Sequence, residues 1–106
     1  MKQRSSKRAK ALQPSDGVKR RVWERDGGWC VWCGQPGTPE AHFISRHNSG
    51  LGIEENMLTL CRECHDEYDH GDRATREEMK IFFRKYLKSR YPDWDENKLT
   101  YRKGGY

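Results

Sequence analysis

Three features of the sequence predict a small α+β domain, in which a two-stranded hairpin is followed by a helix and flanked by further helices. Two short apolar segments are separated by a loop rich in Gly, Asn and Ser, two other segments carry apolar residues at helical spacing, and two Cys-x-x-Cys pairs bracket the hairpin. The chain has 106 residues, of which 33% are hydrophobic. It therefore has room for one domain with a small core.

Residues 1 to 15 predict a disordered basic arm. They are rich in Lys, Arg, Ser and Gln, with almost no large apolar side chain before Leu12. The formal net charge of the chain is +5, and such an arm can neutralise the phosphates of a polyanion without reading its sequence. A merely solubilising tail is the alternative. Residues 16 to 106 then form a single domain, with a core motif over about 18–70.

A short helix with a basic outer surface is predicted from Val18 to Arg25. Val22 and Trp23 recur at helical spacing after Val18, and cations surround them. The cations are Lys19, Arg20, Arg21 and Arg25. The glycines that follow end this helix, and the turn-rich segment 35–39 closes the first cysteine pair.

The hairpin is predicted from two apolar segments. Residues 41–44 have β-compatible side chains and read as the first strand, and residues 46–52 read as a loop because Gly, Asn and Ser dominate them. Residues 57–60 return the chain as the second strand. The reversal makes the two strands antiparallel.

Two helices are predicted after the hairpin. The first begins at Arg62 and ends near His70, before Gly71. Residues 75–78 have the T-x-x-E form of a capping box and open a long helix that ends near Arg90. We expect the apolar residues of the long helix to be core or docking residues, and a short tail to fold back on the body. These residues are Met79, Phe83, Tyr86 or Leu87 in the helix and Trp94, Leu99 and Tyr101 in the tail, within a C-terminal region of 75–106.

The two Cys-x-x-Cys pairs predict a structural Zn²⁺ site. They are Cys30 with Cys33 and Cys61 with Cys64, which are all the cysteines of the chain. Two intervening residues let both sulfurs of a pair turn onto one ion. Two disulfides are the alternative, but the N-terminus has no apolar export segment, so we expect a reducing cytoplasmic location that favours the metal. A small core makes the fold dependent on that ion.

Three polar residues of the hairpin and the following helix are predicted to converge on one face. His42 lies on the first strand, Asn56 precedes the second strand, and His65 lies on the first turn of the helix. A near-neutral imidazole can take a proton from water, while a second one holds a divalent ion against a phosphate. The combination suits phosphodiester hydrolysis. Taken alone, Asn56 could be an ordinary turn residue and His65 an alternative zinc ligand.

The chain resembles the HNH endonucleases, whose ββα-metal fold consists of a hairpin and a helix around one catalytic divalent cation. The resemblance covers about half of the chain, from Val18 to His65, and is carried by RRVWERDGGWCVWCG and AHFISRHNSGLGIEENMLTLCRECH. His42, Asn56 and His65 match the H, N and H of the family name, in that order. The chain particularly resembles small cysteine-flanked members from phages and prophages, some of which act beside DNA-packaging machinery.

The resemblance implies a role for each site residue. His42 is the general base, Asn56 fixes the hairpin loop and orients His42 or ligates the metal, and His65 binds the catalytic cation, which is Mg²⁺, Mn²⁺ or Ni²⁺. Asp69, four residues after His65, is a further candidate ligand or a surface carboxylate. The candidate DNA-binding residues are Arg46, Lys19, Arg20 and Arg21.

The strand departs from the family pattern, because relatives carry two adjacent polar residues where this chain has Ala41-His42-Phe43. If Ala41 fills the ligand position, the cation relies on His65 with other groups or water. If Phe43 fills the base position, His42 is the ligand and the base is missing. The ease with which water completes the shell of Mg²⁺ favours the first alignment.

The function expected from the sequence is that of a metal-dependent DNA endonuclease with little sequence preference of its own. A zinc-stapled DNA-binding or packaging-accessory module without effective catalysis is the alternative, and a protein-binding zinc-ribbon adaptor is a third. The expected partners are DNA and, for a phage-associated protein, packaging proteins. No segment is apolar over the 18 or so residues that a membrane span requires.

Overall fold

The computed structural model describes residues 6–102, and over them a hairpin of two antiparallel strands lies in the chain between two pairs of helices. In chain order the elements are α1 (Lys7–Leu12), α2 (Asp16–Arg25), β1 (Thr38–His42), β2 (Met57–Leu60), α3 (Arg62–His70) and α4 (Arg73–Arg90). The predicted α+β class and the order of hairpin and helix are confirmed. Within the described residues, the helices lack the length and apolar composition that crossing a membrane requires.

The hairpin differs from the prediction in the bounds of its first strand, which runs from Thr38 to His42 instead of 41–44. Ala41 pairs with Leu58 and His42 with Met57, and one extra residue on β1 forms a bulge between Thr38 and Ala41. Beyond His42, Phe43 N still donates to Asn56 O at 2.7 Å, and the ladder then ends because the backbone N and O of Ile44 bond to the side chain of Asn56. β2 has the predicted bounds.

The core lies between the hairpin and one face of α4. Met79, Phe83 and Leu87 of α4 are each 0% exposed, and positions four apart lie on the same face of a helix. The rest of the cluster comes from the cysteine region, the hairpin, α3 and the tail: Cys30, Ala41, Phe43, Leu58, Leu60, Tyr68 and Leu99. The predicted core positions of α4 are confirmed. The predicted packing of the C-terminal tail against the body is also confirmed, because Leu99 belongs to the core and Trp94 packs against it.

The predicted disorder of residues 1–15 is wrong for residues 7–12, which form α1. Ser6 Oγ accepts from the backbone N of Ala9 at 3.0 Å, the side chain of Leu12 is 2% exposed, and Gly52 N donates to Ala11 O at 2.9 Å. A helix of six residues is unstable alone, so its tertiary contacts hold it in place. Composition does not report such contacts. Residues 1–5 of the predicted arm lie outside the described residues.

The start of α4 is also different from the prediction. The helix begins at Arg73, and its cap is Asp72, whose carboxylate accepts from the backbone N of Thr75 at 2.8 Å. Thr75 is therefore already inside the helix and does not act as the cap. The helix ends at Arg90, as predicted. α3 has the predicted bounds, and α2 starts two residues early, at Asp16 behind the Ser15 cap.

Arg25 and Asp26, at the end of α2, connect that helix to β2 and α4. Arg25 Nε and Nη2 donate to the two carboxylate oxygens of Asp26 at 2.8 and 2.9 Å, and Nη2 also donates to Met57 O at 2.7 Å. Asp26 accepts from the backbone N of Thr59 at 3.0 Å and from the hydroxyl of Tyr86. Burial opposes the charge of Arg25, but the hydrogen bonds and charge of Asp26 outweigh it and raise the pKa of Arg25.

Arg25→Met should lower the free energy of unfolding by about 3–5 kcal/mol, because it leaves a buried carboxylate without its partner. The side chains of Arg25 and Asp26 are 11% and 0% exposed. Urea unfolding of the zinc-loaded protein measures the loss.

Arg21→Met is the matched control. It removes a pair with Glu54 at 2.6 Å in which the Arg21 side chain is 56% exposed, so its effect should stay within about 1 kcal/mol. Equal losses in the two variants would contradict the importance of the buried pair.

Candidate functional site

The four cysteines converge between the turn after α2 and the start of α3. Their Sγ atoms all lie within 4.8 Å of one another, and those of Cys33 and Cys61 are 3.6 Å apart. Two sulfurs of a tetrahedral site with Zn–S bonds of about 2.3 Å lie about 3.8 Å apart. The predicted convergence is confirmed, and the cluster could hold a metal ion such as Zn²⁺.

The electrostatics of the cluster suit a cation. Backbone N–H groups of Cys33 and Cys64 point at the sulfurs of Cys30 and Cys61, each at 3.4 Å. Burial raises the pKa of Cys30, but the backbone N–H groups of Cys33, Cys61 and Trp32 outweigh it and lower the pKa to about 7. Burial, and then contact with the other three thiols, raises the pKa of Cys64. One thiolate is therefore favoured and further ones repel it, a conflict that a divalent cation removes. The donor set fits Zn²⁺.

A cleft of about 920 Å³ opens beside the hairpin. Its walls come from β1 and the loop after it, from α3, from the first half of α4, and from the segment that joins α1 to α2. Of the predicted site residues, it brings together His42, His65, Asp69, Arg46 and Lys19.

His42 reaches this cleft from the end of β1 and is 9% exposed. Its Nε2 lies 2.8 Å from the carbonyl oxygen of Leu12. A carbonyl oxygen only accepts hydrogen bonds, so in the neutral ring Nε2 carries the proton and Nδ1 keeps a lone pair. Burial lowers the pKa of His42, the bond to Leu12 opposes this, and the charge of Arg46 adds to the lowering. The ring is therefore neutral at neutral pH, which is the form that accepts a proton.

His65 and Asp69 lie one turn apart on the cleft side of α3. His65 Nε2 is 3.3 Å from Asp69 Oδ2, and the two side chains are 19% and 38% exposed. Adjacent ligands of an octahedral ion with bonds of about 2.1 Å lie about 3 Å apart, so the pair suits two positions of such an ion. Among residues 6–102, the four cysteines are the one group of three or more His, Cys, Asp or Glu side chains that converge on a point. Water would complete the shell of a cation at His65 and Asp69.

Asn56 lies behind the cleft, and the expected convergence of all three polar residues on one face is wrong for it. Its side chain is 0% exposed. Its Oδ1 accepts from Ile44 N at 2.9 Å, and its Nδ2 donates to Ile44 O at 3.1 Å and Leu51 O at 2.9 Å. A Cβ at Gly50 would lie 2.9 Å from this amide and 1.6 Å from Ile44 O, so the loop needs glycine there. Asn56 thus holds the two ends of the loop, and its side chain does not line the cleft.

Strand alternation explains why the two neighbours of His42 face the core. Ala41 and Phe43 are 1% and 2% exposed and belong to the core, so neither supplies the second polar group that relatives carry. Glu40 does line the cleft and was missed by the sequence analysis. The period of two along β1 was a signal for it, but the bulge before Ala41 made the facing of this residue unpredictable.

The predicted DNA-binding residues divide into two groups. Arg46 and Lys19 line the cleft, and Arg46 Nη1 donates to Gln13 Oε1 at 2.7 Å. Arg21 instead pairs with Glu54, and Arg20 is exposed away from the cleft.

Sequence reasoning missed three cations on α4 that line the cleft. Arg73, Arg76 and Lys80 lie three and four residues apart, so they share one face of the helix. Arg76 Nε donates to the backbone oxygen of Tyr68 at 3.0 Å, which fixes that side chain against α3. Their spacing was a usable signal, but only the packing of α4 shows that this face borders the cleft.

The chain was compared with protein-family models and with curated proteins, and neither comparison found a match.

The purified protein should contain one Zn²⁺ per chain, and its removal should unfold the protein. The reason is that the ion would join two segments that a small core holds weakly. Metal analysis, circular dichroism and thermal melting before and after treatment with a strong chelator measure this. Cys33→Ser should lose the zinc, whereas the control His65→Ala should keep it, because the ligand set contains four cysteines. Unchanged melting after zinc removal would contradict the structural role.

Proposed function

We propose that this protein is a metal-dependent DNA endonuclease of the HNH type, which hydrolyses phosphodiester bonds with little sequence preference. The observation that carries the proposal is the shared cleft, in which a neutral imidazole at His42 faces the same space as His65 and Asp69. A base beside a pair of cation ligands is the chemistry that phosphodiester hydrolysis requires.

In the proposed reaction His42 accepts a proton at Nδ1 from a water molecule. The water oxygen forms a bond to phosphorus as the bond from phosphorus to the 3′ oxygen breaks, and the 3′ oxygen takes up a proton from solvent water to become a hydroxyl. His65 and Asp69 would hold a divalent cation, Mg²⁺, Mn²⁺ or Ni²⁺, which would neutralise charge at the phosphate and at the leaving oxygen. Asn56 keeps the loop closed, and Arg46, which lies on that loop, binds phosphate.

The charge of the cleft supports a nucleic-acid substrate. The cations that line it are Lys19, Arg46, Arg73, Arg76 and Lys80, and the carboxylates are Glu40, Asp69 and Glu77. Positive charge therefore exceeds negative charge around the cleft even before a divalent cation is added. Contacts of this kind bind the phosphate backbone and carry no sequence information. DNA bound in this way is cleaved with little sequence preference.

The cysteine cluster supports the catalytic groups indirectly. It lies between the turn after α2 and the start of α3, one residue before His65. Zn²⁺ bound there would hold the first turn of α3 against the rest of the chain. The distance between His65 on α3 and His42 on β1 would then stay constant.

One observation favours a second candidate, a DNA-binding or packaging-accessory module with weak catalysis. Apart from the cysteine cluster, no group of three metal-ligating side chains converges within the described part of the chain, and Ala41 lies in the core where relatives have a ligand. A cation held by two side chains binds weakly. The same cleft would then bind DNA without effective cleavage.

Wild-type protein should nick supercoiled plasmid in the presence of Mg²⁺, Mn²⁺ or Ni²⁺, and His42→Ala should abolish nicking because it removes the base. A loss of about 100-fold or more is expected for a general base. Conversion of supercoiled to open-circular plasmid on a gel measures the rate, and zinc content and thermal melting show that the variant is folded. His65→Ala should require more divalent cation for the same rate. A gel shift without cleavage in any of the three metals would favour the accessory module.

Arg73→Gln/Lys80→Gln should weaken DNA binding and lower the salt dependence of binding. Each phosphate contact contributes about 1 to the slope of log K against log salt, so the slope should fall by about 2. Fluorescence anisotropy with a labelled duplex, measured on the His42→Ala background over a range of salt, gives the slope. Lys85→Gln/Lys88→Gln is the matched control, because it removes the same charge from exposed positions of α4 that do not line the cleft. Equal losses in both double variants would place the DNA elsewhere.

A further inference from the structure

We infer that the backbone carbonyl of Leu12, at the end of α1, positions His42 for catalysis, so that the N-terminal segment is a part of the active site. The inference rests on the proposed function for the role of His42. It goes beyond that function because α1 lies outside the hairpin and helix that carry the catalytic groups.

A hydrogen bond joins the side chain of His42 to the backbone carbonyl of Leu12. His42 Nε2 and Leu12 O are 2.8 Å apart, and both residues are buried, at 9% and 2% exposure. Water therefore competes poorly for either group. The carbonyl holds the proton on Nε2 and leaves Nδ1 as the basic nitrogen. It also restrains rotation of the ring about the bond to Cβ, which sets the direction in which Nδ1 points.

The same N-terminal segment is hydrogen-bonded to the loop between β1 and β2. Arg8 Nη2 donates to the backbone oxygen of Arg46 at 3.1 Å, and Arg46 Nη1 donates to Gln13 Oε1 at 2.7 Å. Gly52, near the end of that loop, donates from its backbone N to Ala11 O at 2.9 Å. The segment therefore holds the orientation of His42 and of the phosphate-binding Arg46 together.

The N-terminal segment lies against the backbone of Gly52, so a side chain introduced at Gly52 would displace the segment. A Cβ at Gly52 would lie 2.4 Å from Pro14 N, 2.6 Å from the carbonyl carbon of Gln13 and 2.8 Å from Leu12 O. All three are backbone atoms and cannot turn aside as a flexible side chain does. A single methyl group at Gly52 must therefore shift the Leu12 carbonyl away from the loop.

The structural part of the inference can be tested without any activity. In the zinc-loaded full-length protein labelled with ¹⁵N, long-range ¹H–¹⁵N correlation spectra show which ring nitrogen of His42 carries the proton. We expect the proton on Nε2. A proton on Nδ1 would overturn the inference, and this measurement does not depend on the folding of any variant.

The catalytic part is tested with Gly52→Ala in the full-length protein. Displacement of the carbonyl should mix the two tautomers of His42 and lower the maximal rate of plasmid nicking about 10- to 100-fold, the scale of loss that misplacement of a reacting group produces. The plasmid concentration at half-maximal rate should change less, because most of the cations that line the cleft remain in place. Zinc content should stay at one per chain.

Gly17→Ala is the matched control. A Cβ at Gly17 meets only side-chain atoms, at 3.5 Å and beyond, so the same methyl group fits there without moving the backbone. In Gly17→Ala, the tautomer of His42 and the rate of plasmid nicking should equal those of the wild type. If Gly52→Ala also left both unchanged, or mixed the tautomers without slowing nicking, the positioning role would be overturned.

Failure of the inference and failure of the proposed function have different signatures. If the wild type nicks plasmid with the His42 proton on Nδ1, the function stands and the positioning role fails. If the wild type never nicks and the proton is on Nε2, the geometry stands, but the nuclease proposal fails and with it the catalytic role assigned to Leu12.

Discussion

The convergence of the four cysteines is the constraint on which the rest of the structure depends. The cluster joins a turn that follows α2 to the first turn of α3, across the end of a two-stranded hairpin. A hairpin of this size is marginal without further packing, and one face of α4 supplies three fully buried apolar side chains to the core against it. A cross-link at this point fixes the start of α3, and α3 carries His65. The side of the cleft that α3 forms therefore depends on thiols that do not line the cleft.

The buried pair of Arg25 and Asp26 complements the cysteines. It ties the end of α2 to β2 and to α4 through backbone oxygens, a backbone N–H and a tyrosine hydroxyl. Polar groups buried at this density are stable only when every member is satisfied. The cysteine cluster thus lies at one end of the hairpin, and the pair of Arg25 and Asp26 lies along one side of it. These polar contacts add to the small apolar core in keeping the two strands in place.

The site and the core share the same strand. Alternation along β1 places Ala41 and Phe43 in the core and turns His42 to the cleft. The core residues thereby decide the position of the imidazole, and Asn56 and Gly50 decide the path of the loop beyond it. The segment that follows α1 lines the cleft, and the six residues of α1 gain their order from contacts to that loop. His42, the loop and the N-terminal segment are connected by one set of hydrogen bonds.

The sequence by itself determined most of the elements and the cysteine cluster. Helical spacing predicted α2 and α4, Gly71 predicted the end of α3, two short apolar segments with their Gly-rich loop predicted the hairpin, and the spacing of Cys30, Cys33, Cys61 and Cys64 predicted their convergence, because these are local patterns. Only the tertiary structure decided the order of α1, the facing of Glu40 after a bulge, the burial of Asn56, and the basic face that Arg73, Arg76 and Lys80 turn to the cleft. Each of these depends on contacts between residues far apart in the chain, such as the bond from Leu12 to His42. The energy of such contacts comes from burial and hydrogen bonds in the folded state, and no local pattern records it.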